Sequence, residues 1–130
     1  MPQLFEETKN VLLTLKKRGI YLVLLSEGTK DQKRIILKVH GLEKIFDFTW
    51  FVERKEQRHF DSIMKKLRAM GYTHVYSIGD SIRNDIRPGI SAGAQTIWIP
   101  SKWEVEKPKE RQECPKYKIK KIEEILGIIK

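Results

Sequence analysis

Two carboxylates, Asp80 and Asp85, directly follow an apolar run in the segment SIGDSIRNDI, residues 77–86. Carboxylate oxygens are hard ligands of the kind that Mg²⁺ prefers. A hydroxyl, Ser26, ends an earlier apolar run, IYLVLLS, and a lysine, Lys55, lies just beyond a second run, IFDFTWFV. A hydroxyl and an ammonium group can together hold the oxygens of a phosphate. These residue types therefore predict a site for a phosphoryl group and a divalent cation.

The four side chains can meet if the apolar runs are strands of one sheet. Short runs rich in strand-forming residues alternate with segments whose apolar residues share one helical face. The strand-like runs are IYLVLLS, IFDFTWFV, HVYSIG, AQTIWIP and YKI, and the helix-like segments are LFEETKNVLLTLKKRG, KDQKRIILKVH, RHFDSIMKKLRAM, IRPGISAG and KIEEILGII. This alternation predicts an α/β fold, with a parallel sheet between helices, as one domain over residues 1–130. Ligands of such sheets bind at the carboxyl ends of the strands, where all four side chains are predicted to lie.

Gly28 and Thr29 stand where the second helix is predicted to begin. Backbone N–H groups at the start of a helix favour an anion, so both residues are candidates for binding the same phosphate. Thr29 and Gln32 also have the spacing of a capping box. The second helix is therefore expected to start beside the phosphate.

Each candidate also has a structural interpretation. Asp80 with Ser81 could cap a helix, and Asp85 could be a surface acid. Ser26 could be a turn hydroxyl, and Lys55 could be a solvated lysine of the charged stretch ERKEQR. Their shared position at strand ends favours the functional interpretation for all four. Structural roles are assigned to the histidines, which lack metal-ligand spacing, and to two strand tryptophans: His40, His59, His74, Trp50 and Trp98.

Composition limits the classes of protein that fit. The chain has 130 residues, a net charge of +9 and 33% charged residues. It has no apolar run near the ~20 residues of a transmembrane helix, and its start, MPQLFEETKN, lacks the features of a signal peptide. The single Cys114 excludes an internal disulfide, which predicts a reducing, cytoplasmic location. Abundant Lys, Glu and Ile are typical of a heat-adapted surface.

The positive charge also raises the question of a nucleic-acid partner. Residues 102–121 contain eight basic and four acidic side chains. The two signs alternate, and no aromatic series of the kind used by single-strand binders accompanies them. The pattern favours a solvated, charge-rich face over a nucleic-acid-binding module.

The candidate residues fall within motifs that resemble those of the haloacid dehalogenase-like (HAD) hydrolase superfamily. The stretch LLSEGTKDQKRIILKVHGLEKIFDFTWFVERK resembles that family's second motif through its third-motif lysine. YSIGDSIRNDIRPGISAGAQTIWIP resembles its fourth motif, and IPSKW is similar to a subset of these hydrolases with a Trp shortly after the Pro. The resemblance implies a three-layer, Rossmann-like core.

The resemblance also implies a role for each residue. Ser26 would bind the transferred phosphoryl group, and Lys55 would stabilise its charge. Asp80 would be the Mg²⁺ ligand, with Asp85 supporting the metal or Lys55. One departure is Glu27, which stands where the family more often has an amide or a lysine.

A second departure concerns the nucleophile. The family's first motif, Asp-x-Asp, supplies the attacking carboxylate and the general acid and base, and it occurs nowhere in residues 1–130. The sequence therefore predicts an incomplete HAD-like core without a cap domain, inactive alone, with weak or absent Mg²⁺ binding. In the family the missing strand lies between those that end at Ser26 and Gly79. Either these two strands pair directly, or an edge is open to another chain.

Three functions stay open from the sequence. The favoured one is a phosphatase-type hydrolase of a phosphorylated small molecule, completed by a complementary N-terminal chain. The second is a non-catalytic binding or regulatory domain that forms a homo-oligomer through the open edge. The third is a basic nucleic-acid-binding module using residues 102–121.

Overall fold

The computed structural model describes residues 2–28, 30–39, 41–100 and 114–129. The helices are α1 (Pro2–Lys17), α2 (Lys30–Val39), α3 (Gln57–Ala69), α4 (Arg87–Ser91) and α5 (Ile125–Ile128), with a π-helical turn at Ile82–Ile86 and a 3₁₀ turn at Ile122–Glu124. The strands are β1 (Val23–Glu27), β2 (Phe48–Val52), β3 (Tyr76–Gly79), β4 (Gln95–Trp98) and β5 (Tyr117–Lys118). No helix in the described ranges is long and apolar enough to cross a membrane.

The chain divides into two compact units, which are residues Met1–Lys55 with Ile122–Lys130, and residues Glu56–Lys121. In the first unit, β1 and β2 form a parallel pair in which Val23 lies beside Phe48 and Glu27 beside Val52. The buried residues Val11 and Leu15 give α1 the apolar face that the sequence predicts. Helix α1 packs against α5, and the two helices are tied by Arg18. Its guanidinium donates to the carbonyls of Leu126 and Ile129, both at 2.8 Å, which satisfies acceptors at the helix end.

Asp47 fixes the start of β2 against the start of β1. Its carboxylate accepts from the backbone N–H of Leu22 at 2.7 Å and from the ammonium group of Lys16 at 2.5 Å. In return, the Asp47 N–H donates to the Leu22 carbonyl at 2.8 Å. A shift of one residue in the strand register would break all three contacts. This side chain therefore helps to select the register that brings the ends of β1 and β2 together.

In the second unit, β3, β4 and β5 form a parallel sheet with β4 in the centre. Helix α3 buries Met64 and Leu67, in keeping with the single apolar face predicted for the segment RHFDSIMKKLRAM. Its Gln57 amide donates to the carbonyl of Pro88 at 3.0 Å, which joins α3 to α4. His59 is buried, and its Nδ1 accepts from the N–H of Glu56 at 2.9 Å. The structural role predicted for this histidine is thus confirmed.

The predicted α/β class with parallel strands and a Rossmann-like core is confirmed, and two details differ. The described strands form two sheets, because β1 pairs with β2 and β3 with β4, whereas one sheet was predicted. The almost wholly apolar run IYLVLLS is typical of a strand buried on both faces, yet all residues of β1 are half-buried because its sheet has only two strands in the described ranges. The single domain over residues 1–130 stays a prediction. Thr29, His40 and residues 101–113 lie outside the described residues.

The pKa of Asp47 provides a test of its anchoring role. Burial raises this pKa, but the hydrogen bond from Leu22 and the bond and charge of Lys16 outweigh it and hold the pKa below the ordinary value of 3.8. A lowered native pKa contributes stability above the unfolded pKa, and that stability is lost as the pH falls through the native pKa. The Asp47→Asn variant should therefore lose roughly 0.5–1 kcal/mol of unfolding free energy at pH 7, a modest value because both partners are partly exposed.

Urea unfolding at pH 7 and at about pH 2.5 measures this difference, which should shrink at the lower pH. The Asp61→Asn variant, which changes an exposed aspartate of α3, controls for the loss of a carboxylate as such. A deficit of the Asp47→Asn variant that is equal at both pH values would contradict the anchoring role.

Candidate functional site

The carboxyl end of the β1–β2 pair carries two of the predicted phosphate ligands. Ser26 lies beside Phe51 in the parallel register, and Lys55 follows three residues after Val52, the end of β2. Both residues therefore stand at the same edge of this sheet. The Ser26 side chain is partly buried, and its Oγ makes a long contact of 3.4 Å with the Glu27 carbonyl. Lys55 is half-buried.

Gly28 makes the turn that follows β1. Its φ is +121°, a conformation that a residue with a side chain rarely adopts. Its N–H, predicted as an anion donor, donates to the Val52 carbonyl at 3.0 Å and so extends the pairing of β1 with β2. Gly28 thus shapes the backbone between Ser26 and the start of α2. Its predicted partner Thr29 lies outside the described residues.

The second unit carries the two carboxylates, in what we call the acid loop, residues 79–86. Asp80 is exposed, whereas Asp85 is buried, with 5% of its surface accessible. The Asp85 Oδ2 accepts a hydrogen bond from the backbone N–H of Ser81 at 3.2 Å. A buried carboxylate must be hydrogen-bonded or paired, since its desolvation is otherwise costly. The hydrogen bond from Ser81 therefore stabilises the Asp85 carboxylate in a buried position, unlike that of a surface acid.

Ser81 organises the rest of this loop. Its Oγ accepts from the N–H of Asn84 at 3.1 Å, and its carbonyl accepts from the N–H groups of Asp85 and Ile86. The last of these is an i to i+5 bond, which is why the turn is π-helical. Of the pair that was considered for helix capping, Ser81 is the cap and Asp80 precedes it. The cap leaves the Asp80 side chain at the exposed edge of the sheet.

Gly79 is required by the close approach of Asp85. A Cβ built on Gly79 would lie less than 3.0 Å from the Cβ, Cγ and Oδ2 atoms of Asp85. The Asp85 side chain therefore occupies the space of a side chain at position 79. The pair Gly-Asp at the end of β3 and the acid five residues later form one packed arrangement.

The donor set of the acid loop fits Mg²⁺. This ion is commonly held by one or two carboxylates, with water and substrate oxygens completing its coordination. Two carboxylates in one short loop meet that requirement. Within the described ranges, no group of three or more His, Cys, Asp or Glu side chains is placed to hold a metal. The loop is thus suited to an ion that shares its coordination with a ligand.

Sequence reasoning missed the part played by Trp98. This residue was predicted to be core, and it is buried with 4% exposure. Its indole N–H also donates to the carbonyl of Asp80 at 2.9 Å, which ties the acid loop to the end of β4. The available signal was the indole itself, because a buried tryptophan usually finds an acceptor. Trp50, also predicted to be core, is half-buried.

The contact between Gly79 and Asp85 is testable by adding one methyl group. The Gly79→Ala variant should lose about 1–3 kcal/mol of unfolding free energy, because the new Cβ forces β3 or the acid loop to move. Urea unfolding followed by circular dichroism measures the change. The Gly127→Ala variant is the matched control, since no atom lies within 4 Å of the added Cβ. A Gly79→Ala protein as stable as the wild type would show that Asp85 does not pack there.

Comparison with known proteins identifies the family. The family of haloacid dehalogenase-like hydrolases matches residues 1–99. The chain is 29% identical over 133 aligned positions to a Bacillus subtilis (strain 168) protein, YfnB, which carries a HAD-hydrolase name; the alignment covers 98% of this chain and 54% of that protein. The chain thus spans about half the length of the relative.

Solved structures show the same fold. The magnesium-bound crystal structure of YfnB from Bacillus subtilis matches with a TM-score of 0.76 at 23% identity, covering 92% of this chain and 52% of that one. A HAD phosphatase from Thermococcus onnurineus matches with a TM-score of 0.74 at 23% identity, covering 94% and 56%. These two likenesses establish the fold alone. With the family match over residues 1–99, they show that the chain belongs to the haloacid dehalogenase-like hydrolases.

Proposed function

We propose that the chain is the part of a HAD phosphatase that binds the phosphate and Mg²⁺ of a phosphomonoester. The observation that carries this proposal is the acid loop, in which a buried, hydrogen-bonded Asp85 backs an exposed Asp80 at the end of β3. A loop that served only to cap a helix would not need to bury a carboxylate. The names of two structural neighbours, a magnesium-bound HAD hydrolase and a HAD phosphatase, agree with this activity.

In this proposal the first unit contacts the phosphoryl group. The hydroxyl of Ser26 donates to one of its oxygens, and the ammonium group of Lys55 neutralises the charge that develops on it. Gly28 forms the turn beside Ser26 through its positive φ, and Thr29 stays a candidate donor from the sequence alone. Placing such donors where charge develops is the largest part of catalysis in most phosphoryl transfers.

The second unit holds the cation. Asp80 would be a direct ligand, and Asp85 would support the metal. When bound, Mg²⁺ would neutralise phosphoryl oxygens and orient the group for in-line attack. The substrate class is a phosphorylated small molecule.

The attacking group must come from outside residues 1–130, which contain no Asp-x-Asp. We propose that this chain alone is inactive and that a strand bearing the nucleophile completes it, as a complementary N-terminal chain. Within the described ranges, β1 pairs with a strand on one side and so does β3, which leaves a second edge on each. Ile78 of β3 is 39% exposed, which is unusual for a strand isoleucine and suits a covered edge.

A non-catalytic, self-associating domain is the second candidate, and the same strand edges favour it. The mass of the purified chain in solution distinguishes the two candidate functions. A stable homo-oligomer that does not dissociate would favour the self-associating binding domain. A monomer that associates with an added Asp-x-Asp chain favours the phosphatase. For either function we propose a cytoplasmic location, in keeping with the exposed and unpaired Cys114.

Complementation provides the direct test of the phosphatase proposal. The chain is mixed with, or fused to, the part of YfnB that lies outside the match, and hydrolysis of p-nitrophenyl phosphate is followed with Mg²⁺. We expect activity from the combination and little or none from residues 1–130 alone. Brisk hydrolysis by the unaided chain would contradict the proposed lack of a nucleophile, and failure of every Asp-x-Asp partner would count against the phosphatase.

Two substitutions show whether the proposed residues carry that activity. Lys55→Met in the complemented enzyme should lower kcat by about 10²–10³-fold, the usual effect of removing one charge-stabilising donor. Lys44→Met, which changes an exposed lysine in the turn before β2, is the matched control and should leave kcat unchanged. Equal kcat values for the two variants would remove Lys55 from the proposed mechanism.

A further inference from the structure

Two hydrogen bonds from the end of β4 fix the backbone at the start of the acid loop. They are accepted by the carbonyls of two successive residues. The N–H of Ile99 donates to the Gly79 carbonyl at 2.9 Å. One residue on, the indole N–H of Trp98 donates to the Asp80 carbonyl, also at 2.9 Å. The first contact continues the parallel ladder between β3 and β4. The second is made by a side chain after the ladder has ended, so it replaces the backbone donor that the sheet no longer supplies.

The indole ring that makes this bond is itself fixed. Trp98 packs in the cluster of Ile82 and Ile86, with Ile90 against it. The ammonium group of Lys118, its neighbour in the parallel register with β5, lies 5.1 Å from the ring centroid. A cation at this distance is attracted to the ring. The ring is therefore contacted by the π-helical turn and by β5, which leaves the direction of its N–H well defined.

The bond from Trp98 also acts on Asp85. The carbonyl of Asp80 and the N–H of Ser81 belong to one peptide unit, which is planar and rigid. The indole N–H of Trp98 donates to the oxygen of this peptide unit. The Ser81 N–H of the same unit donates to the carboxylate of Asp85 at 3.2 Å. Rotation of the peptide would break both bonds together. One indole N–H therefore controls the peptide that directs Asp80 and restrains Asp85.

We propose that Trp98 is a positioning residue for the two carboxylates of the acid loop. It contacts neither the cation nor the phosphate, and it acts by fixing the Asp80–Ser81 peptide. The metal-binding consequence depends on the proposed function, whereas the effect on the loop does not. Losing the indole N–H frees the peptide to rotate, which moves the Asp80 side chain and removes the donor to Asp85.

Two readouts on the full chain test this proposal. The first is hydrogen exchange of the backbone amides of residues 79–86, which should be faster by roughly 2- to 10-fold in Trp98→Phe, the effect expected from losing one hydrogen bond. The second is Mn²⁺ affinity, measured by paramagnetic relaxation of water, which should fall by about tenfold, as is usual when a group that orients metal ligands is lost. Trp50→Phe, on β2 of the other unit, is the matched control and should change neither quantity.

A second variant guards against a general loss of packing in Trp98→Phe. Replacing the Trp98 indole with a benzothienyl ring, by nonsense suppression, keeps the bicyclic shape and exchanges the N–H for sulfur. Faster exchange confined to residues 79–86 in this variant supports the proposal. Unchanged exchange in residues 79–86, or an equal increase throughout the second unit, overturns it. If the wild type binds no Mn²⁺ while the local exchange effect is present, the metal site of the proposed function fails and the positioning role stands.

Discussion

The candidate site depends on one hydrogen bond, which the Ser81 N–H donates to the buried carboxylate of Asp85. A carboxylate with 5% exposure loses most of its hydration, and hydrogen bonds from the chain must replace it. A hydrogen bond to a charged acceptor contributes about 1.5–3 kcal/mol, more than a neutral one. The local sequence is arranged around this need: Gly79 leaves space for the side chain, and Ser81 turns its N–H towards it. Asp80, by contrast, is exposed.

Parallel pairing gives these local arrangements their common direction. Residues that follow β1 and β2 emerge at one edge of their sheet, and residues that follow β3 and β4 emerge at one edge of theirs. Asp47 sets the first register through its bonds to Leu22 and Lys16. In the second sheet, the bond from Trp98 to the Asp80 carbonyl extends the same pairing into the loop. In each unit, the candidate residues thus stand at or just beyond the carboxyl ends of that unit's own parallel strands.

The element order and the candidate residues could be predicted because they depend on local signals. Helical apolar faces, short strand-forming runs and glycines after helices can each be recognised within a single segment of the sequence. The family resemblance was confirmed by the match over residues 1–99. For the strands that end at Ser26 and Gly79, the sequence offered two outcomes, direct pairing or an open edge. Local signals could not choose between them, because strand pairing depends on residues that are distant in the chain.

At the candidate site, sequence reasoning named four side chains, whose roles stay predictions, but not the hydrogen bonds around them. The N–H of Gly28 donates to the carbonyl of Val52 and so extends the β1–β2 pair. Val52 is 24 residues away in the chain, so this bond depends on how the two strands pair. The role of Trp98 depends on a contact with Asp80 across two strands. An apolar pattern reports that a tryptophan is buried, but it does not report where the indole N–H points.

The edges of the three-stranded sheet differ in a way that bears on its completion. Strand β5 forms one edge, is only two residues long, and carries exposed lysines at Lys116, Lys118 and Lys120 in or beside it. Short, lysine-rich edges resist pairing with other chains. Strand β3 lies at the opposite edge, contains no charged residue and exposes Ile78. Because one edge of the described sheet has the features that prevent pairing and the other lacks them, the β3 edge, next to the loop that holds Asp80 and Asp85, is the better suited of the two to accept another strand.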